Sequence, residues 1–332
     1  MLFANRFHVF YFDVGQGASS LIISQHLQNG RVMSCQTLLI DTQKSDDEID
    51  VPNVLADVLP RKDGKAHLDA MIITHPHRDH IGGLDRFVNG EFQVDKIYHP
   101  DYSAAGLKEF NDGLAYLKLR KNSSSQAEAR LISGRTYTIH NGFSFEAYSP
   151  PPSIESSMTF KEELPKIQVH NQSAVIQVSC GCRKLLYLGD ANRFCMDRVV
   201  RYYSHKLQTD ILTASHHGSN SVFVDESKVK SLKDIIRLSP DTVFDSDLND
   251  LDWSEKFLDS SNPQYVIISA GCNNKFGHPH DAAVKAYTEA AINGVLETRL
   301  NGTIYFNLSN KELTPEFLTP CEAMDRLSDI FW

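Results

Sequence analysis

No stretch of this chain approaches the ~18 consecutive apolar residues that a membrane-spanning helix needs, so no spanning segment is expected. Positive charge is also short: 33 Lys and Arg face 42 Asp and Glu, for a net charge of −9. That balance argues against a broad nucleic-acid-coating surface. It leaves phosphodiester chemistry open, because bound metal ions bring their own local positive charge. Cysteines are few, and Cys35, Cys180, Cys182, Cys195, Cys272 and Cys321 show no framework spacing. Cys180-Gly181-Cys182 has the wrong gap for a zinc knuckle, which leaves free buried thiols in a reducing compartment as the expected state. Met1 to Phe7 lacks the basic start, long apolar core and cleavage signal of a leader, and Phe7 to Phe12 reads as a core strand. A cytoplasmic location is therefore expected. Neither an internal repeat nor a low-complexity tract is present. With 332 residues, 41% of them apolar, the chain can bury a full core. The expectation is one hydrolase-like domain over 1–332, with an acidic insertion at 225–255.

Against these absences stands one dense local feature, Thr74-His75-Pro76-His77-Arg78-Asp79-His80. It follows the apolar run Leu68 to Ile73, which reads as a buried strand, and precedes Ile81-Gly82-Gly83-Leu84, which reads as a helix start. His75 and His77 are two apart, so in an extended segment both rings point to the same side. Asp79 and His80 fall on the following turn and can face a second ion. Imidazole and carboxylate together suit Zn, Mn or Fe rather than Ca or Mg.

Around this cluster the pattern alternates strands, turns and helices. Strands are expected at Arg6 to Asp13, Ala18 to Ser24, Gln36 to Asp41, Leu68 to Thr74 and Val94 to Tyr98. Helices are expected at Asp50 to Leu59, His80 to Phe87 and Ala104 to about Lys121. Tyr137 to Ile139 and Phe143 to Tyr148 begin a second sheet. Ser153 to Gln168 reads as an irregular excursion over the site. A hairpin is expected from Ser173 to Leu188 around Cys180-Gly181-Cys182. A helix (Asn192 to Tyr203), strands at Thr209 to Ala214 and Tyr265 to Ser269, and a helix (Pro279 to Asn293) follow. Val295 to Leu308 reads as a terminal hairpin turning at Asn301-Gly302. The order implies two sheets between helices, with strand-end loops converging on one edge.

Three more segments share the grammar of the His cluster, an apolar strand ending in metal-competent residues. Asp190 follows Leu185 to Gly189, where the glycine lets the backbone turn sharply, and its two oxygens can bridge two ions. His216-His217-Gly218-Ser219 follows Asp210 to Ala214. One of these imidazoles can complete the second ion's shell, with His217 favoured. The other can hydrogen-bond a substrate oxygen or protonate a leaving group. His278, in Phe276-Gly277-His278-Pro279-His280, can be a substrate-facing acid or a contact at a helix start. Candidate catalytic residues are thus Asp79, His216 and His278. Asp41 can accept an imidazole N–H from behind the cluster. Together these fit hydrolysis by two ions roughly 3.5–4 Å apart that share a hydroxide.

These landmarks resemble the metallo-β-lactamase superfamily, whose ligand signature has the form His-x-His-x-Asp-His. Within it they are similar to the soluble hydrolase domain of the DNA-uptake competence protein ComEC. The matching segments are Phe12 to Gly17, Leu39 to Thr42, Thr74 to Leu84, Asn171 to Val175, Leu188 to Asp190, Asp210 to Ser219 and Asn274 to Pro279. The resemblance implies an αββα sandwich. It implies a first ion on His75 and His77, a second on Asp79 and His80, Asp190 as bridge, and His217 or His216 completing the site. Three departures stand out. Ala18 replaces an acidic residue after the Gly-Gln-Gly turn. Asn171 occupies the place where many members have another His ligand, which would leave the first ion loosely held, though His170 stands beside it. A counterpart of the competence protein's membrane channel is not expected in this chain.

The expected function is a metal-dependent phosphodiesterase or nuclease holding two divalent ions, Zn or Mn. Its substrate would be single-stranded DNA, RNA or a nucleotide. Hydrolysis of a small phosphoester or lactone is the alternative, and a binding module the third reading. No membrane partner is expected; a protein partner would use the 225–255 insertion.

Overall fold

The structure, a computed structural model, describes residues 3–123, 129–152, 169–224 and 251–332. Six strands come first: β1 (Phe3–Tyr11), β2 (Ser20–Gln28), β3 (Arg31–Ile40), β4 (Arg61–Lys62), β5 (Lys65–Ile72) and β6 (Phe92–Tyr98). Seven more build a second sheet: β7 (Thr136–His140), β8 (Phe143–Ser149), β9 (Val175–Cys180), β10 (Arg183–Tyr187), β11 (Ile211–Thr213), β12 (Tyr265–Ile268) and β13 (Gly294–Glu297). The chain then returns to the first sheet with β14 (Thr303–Asn307) and β15 (Pro315–Leu318). That sheet runs β15-β14-β1-β2-β3-β5-β4, with β6 paired to β5; the second runs β13 to β7 in descending order.

The two-residue period of the strands divides their side chains between apolar layers. In β1, Phe7, Val9 and Tyr11 face the layer between the sheets, while Phe10 faces the helices. In β10, Leu185 and Tyr187 take the inner layer and Leu186 the outer one. Three apolar layers result, one between the sheets and one under the helices on each side. This is the expected αββα sandwich. The helix Val51–Val58 shows how the outer layers close. Val51, Val54, Leu55 and Val58 form one buried stripe. The Asp50 carboxylate caps the helix by accepting from the Asn53 N–H at 2.9 Å.

Several local expectations are corrected. The helix read from His80 to Phe87 is two short ones, Arg78–Ile81 and Leu84–Val88. Gly83 between them has φ +83, and a Cβ there would strike the Pro52 ring. The helix read from Ala104 begins only at Asn111, after a short turn at Leu107–Glu109. Val295 to Leu308 is not a hairpin. β13 pairs parallel with β12, and β14 pairs antiparallel with β1 in the other sheet. A helical turn at Thr298–Asn301 carries the chain across between them. The helix near Pro279 starts at Asp281, with His280 at its N-cap. All six cysteines are free, but Cys182, Cys272 and Cys321 are exposed rather than buried. The excursion read at Ser153 to Gln168 lies outside the described residues. Of the insertion read at 225–255, residues 225–250 likewise lie outside the described residues, and 251–255 fall in the helix Leu251–Ser261.

Candidate metal centre

β3 and β5 run parallel, as do β10, β11 and β12, so their C-terminal ends gather on one edge of the sandwich. Each end delivers one part of the site. Asp41 follows β3, and Thr74 to His80 follow β5. Gly189-Asp190 follow β10, His216-His217 follow β11, and the loop to His278 follows β12. Backbone hydrogen bonds tie these loops together: Ala174 N–H donates to the Thr74 carbonyl and His216 N–H to the Gly189 carbonyl, both at 2.9 Å. His216 and His217 have φ of 49° and 55°, a left-handed conformation rare for these residues. That turn sends the two rings to different parts of the site.

Two groups of donors result, each with its ligand atoms within 4.8 Å of one another: His75, His77, His170 and Asp190, and Asp79, His80 and His217. Asp190 faces both. Its Oδ2 lies 3.4 Å from His75 Nε2 and 3.5 Å from His170 Nε2. Its Oδ1 lies 3.0 Å from His80 Nε2 and 3.9 Å from His217 Nε2.

The second group tests directly whether a cation fits. His217 Nδ1–H donates to the Ser269 carbonyl at 2.8 Å, which leaves the Nε2 lone pair facing inward. His80 Nδ1 lies 2.7 Å from Asp41 Oδ2, and Asp41 also accepts from Thr74 N–H at 2.7 Å and Thr74 Oγ1–H at 2.6 Å. His80 Nε2 and His217 Nε2 then stand 3.3 Å apart, with Asp79 Oδ2 3.3 Å from the latter. Two imidazole nitrogens and a carboxylate oxygen at such separations repel one another unless a proton or a metal cation lies between them. The buried Asp190 Oδ1 likewise has no well-formed hydrogen bond. The donor set fits a divalent ion in each group.

Charge in the site follows from burial and pairing. Burial lowers His75, His170 and His216 to about 3, so these rings are neutral and able to bind a metal. Burial alone would raise Asp190, but His80, His216 and His75 outweigh it and hold the carboxyl well below its usual range. Burial also opposes charge on His80, yet Asp190 and Asp41 raise its pKa well above normal. The ring takes a proton when no metal is there to take its place.

All the expected site residues meet here, though not in equivalent positions. His217 is 2% exposed, whereas His216 is 23% exposed, with Nε2 3.6 Å from Asp190 Oδ2. His278 is buried, its ring 5.1 Å from that of His216 and its Nδ1 without a hydrogen-bond partner. Asp41 lies behind His80, as expected. Asn171 turns away and accepts a 2.6 Å bond from Asn192 Nδ2. His170 fills the place instead, with Nε2 3.1 Å from His77 Nδ1. The expected gap in the first group is therefore absent. A third cluster, His67, Asp69 and Asp95, is a partly exposed ion-pair group in which Lys62 Nζ lies 3.2 Å from Asp95.

The sequence model of the metallo-beta-lactamase superfamily matches residues 53–244. The chain belongs to that superfamily. It is 25% identical over 325 residues to the ComE operon protein 3 of Bacillus subtilis (strain 168), covering 94% of this chain and 34% of that protein. It is 25% identical over 308 residues to the competence protein ComA of Neisseria gonorrhoeae, covering 92% and 33%. The chain thus spans about a third of the length of these relatives. Among solved structures it is similar to the metallo-beta-lactamase fold protein YhfI from Bacillus subtilis, with a TM-score of 0.45, 14% identity, and 88% and 96% of the two chains covered. Zn(2+)-bound PqqB from Methylobacterium extorquens gives a TM-score of 0.46 at 14% identity, covering 91% and 100%. No helix among the described residues is long and apolar enough to cross a membrane.

Proposed function

We propose that this superfamily member is a metal-dependent phosphodiesterase or nuclease with two divalent ions, Zn or Mn. The observation that carries the reading is the placement of the two Asp190 oxygens, one toward each donor group. In this reading His75, His77 and His170 would hold one ion and Asp79, His80 and His217 the other, with Asp190 placed to serve both. When bound, such ions supply Lewis acidity toward a phosphoryl oxygen and lower the pKa of water.

The remaining residues act on the substrate. His216, the more exposed of its pair, and His278 beside it can each donate one ring N–H as a hydrogen bond to a phosphoryl oxygen or to the departing alkoxide. Asp79, with 27% of its side chain exposed, stands at the partly open side of the second group; burial opposes its charge, but His217 and His80 hold the carboxyl well below the usual range, so it stays a carboxylate there. Asp41 fixes the direction of His80 from behind. A cytoplasmic setting, a single domain over 1–332 and a protein partner at 225–255 belong to the same reading.

Metal analysis of the purified protein, followed by Mn- and Zn-dependent assays on single-stranded DNA, RNA and bis(p-nitrophenyl) phosphate, tests it. Two ions and cleavage of a diester are expected, with loss of both in Asp190→Ala. Two bound ions without diester cleavage would shift the assignment to a small phosphoester or lactone. Full activity in Asp190→Ala would overturn the bridged two-ion mechanism.

A further inference from the structure

Three cation–aromatic pairs stand near residues of the metal centre. Arg78 stands between His77 and Asp79, and its guanidinium lies 4.2 Å from the centre of the Phe110 ring. Arg198 lies 5.2 Å over Phe194 and donates to the Asn171 carbonyl at 2.6 Å, next to His170. Lys275 Nζ lies 5.0 Å over Phe276, whose ring stacks on His278 at 5.7 Å. His170 and His278 both border His216, with ring centres 4.3 and 5.1 Å from it. The second and third pairs thus connect to the same half-buried imidazole through different neighbours.

Two of these aromatic rings are left in solvent, Phe194 at 57% and Phe276 at 42% exposure. Neither ring is needed by the buried core, and each carries a cation at its face. The loop that presents Phe276 is stiff. Asn274 Oδ1 accepts from the N–H groups of Phe276 and His278 at 3.1 and 3.0 Å, and its Nδ2 donates to the Gly271 and His278 carbonyls at 2.9 and 2.5 Å. A fixed aromatic face beside a cation suits a planar base joined to a phosphate. The base lies on the ring; the Lys275 ammonium can swing to the phosphate, whereas Arg198, held by its bond to the Asn171 carbonyl, would meet a phosphate in place. Other cation–aromatic pairs occur away from the centre, such as Arg135 with Tyr137 and Arg326 with Tyr305; what sets these two apart is a ring left in solvent and a link to the His216 neighbourhood.

We propose that Phe194 with Arg198 and Phe276 with Lys275 are base-stacking, phosphate-pairing subsites on either flank of the metal centre. The ligand they take is a single-stranded oligonucleotide of at least two nucleotides. Bases in a duplex are already stacked and offer no free face. The inference rests on the phosphodiester reading for its chemistry, but its test does not require turnover.

The full chain, purified with its metals, is titrated with a phosphorothioate-linked tetranucleotide that resists cleavage and carries 2-aminopurine beside the central linkage. Quenching of the fluorophore on binding is expected. Phe194→Leu and Phe276→Leu should each weaken binding on the order of tenfold, whereas Phe276→Trp, which keeps an aromatic face, should bind like the parent. Lys275→Ala should lower the slope of log affinity against log salt by roughly 0.7. A duplex of the same sequence should bind at least tenfold more weakly. Leucine variants that bind like the parent, or a duplex that binds as tightly as the single strand, would overturn the proposal. If a leucine variant fails to fold, the Trp variant and the salt slope of Lys275→Ala still decide it. Intact, ring-dependent binding without hydrolysis would support the subsites while removing the nuclease reading.

Discussion

His80 Nδ1 meets Asp41 Oδ2 at 2.7 Å, with both side chains buried. This contact decides which nitrogen of His80 faces the site. Donation of Nδ1–H to Asp41 leaves Nε2 as the inward atom, opposite Asp190 and His217. Asp41→Asn keeps the size of the side chain but offers an amide that can present N–H to the ring. Metal affinity of the second group should then fall about 10–100-fold, read by competition with a chromogenic chelator. An affinity equal to that of the parent protein would show that Asp41 does not orient the ring.

The exchange of roles between His170 and Asn171 gives a second prediction. His170 Nε2 lies among His75, His77 and Asp190, while Asn171 is bonded away to Asn192. His170→Ala should cost roughly one bound ion per chain in elemental analysis and leave the Asp79, His80 and His217 group loaded. Asn171→Ala should retain both ions. The reverse pattern would restore a weakly held first ion and remove His170 from the donor set.

That exchange also shows where the sequence was informative. The strand-end grammar placed His75, His77, Asp79, His80, Asp190 and His217 together because each follows an apolar strand, and parallel strands end on one edge. His170 follows no strand. It lies in a short turn, His170–Gln172, ahead of β9, and only the fold of that turn decides whether 170 or 171 points inward. The crossing at Thr298–Asn301 was hidden for a related reason. Asn301-Gly302 is a hairpin signal, and nothing local reveals that the flanking strands belong to different sheets. The last helix, Pro320–Phe331, carries a local sequence signal of its own. Thr319 and Glu322 form a capping box, and Ala323, Leu327 and Ile330 make its buried stripe.

Acid should weaken the fold through His8, far from the metal centre. The ring is 4% exposed and lies 2.8 Å from the Tyr305 hydroxyl and 3.2 Å from Gln25 Oε1. Burial lowers its pKa from 6.5 to about 4, with Arg6 and Arg326 acting in the same direction and Gln25 opposing. Between those values the unfolded chain binds a proton that the folded one refuses. Stability therefore falls as pH drops from about 6.5 toward about 4, by up to ~3 kcal/mol from this ring alone. Comparing urea unfolding of the protein with that of His8→Gln isolates the contribution. The gap between them should shrink on acidification, and a gap constant from pH 7 to pH 4 would rule it out.

Gly189 links stability to the site, because its backbone sets the direction of Asp190. Its φ is +52°, and a Cβ added there would lie 2.9 Å from Thr74 Cβ and press on the Ser173 hydroxyl. Ser173 Oγ also accepts the Asp190 N–H at 3.0 Å, so crowding it disturbs the bridging carboxylate. Gly30 has φ +80°, but a Cβ added there would meet nothing within 4 Å. Gly30→Ala should thus cost only the left-handed backbone penalty, about 1 kcal/mol. Gly189→Ala adds overpacking and should cost about 2–4 kcal/mol in urea unfolding. It should also lower metal content, whereas Gly30→Ala should not. Equal losses from the two substitutions, with both ions retained, would mean that the strand-to-Asp190 turn tolerates a side chain and that the close approach at Thr74 is not what fixes the bridge.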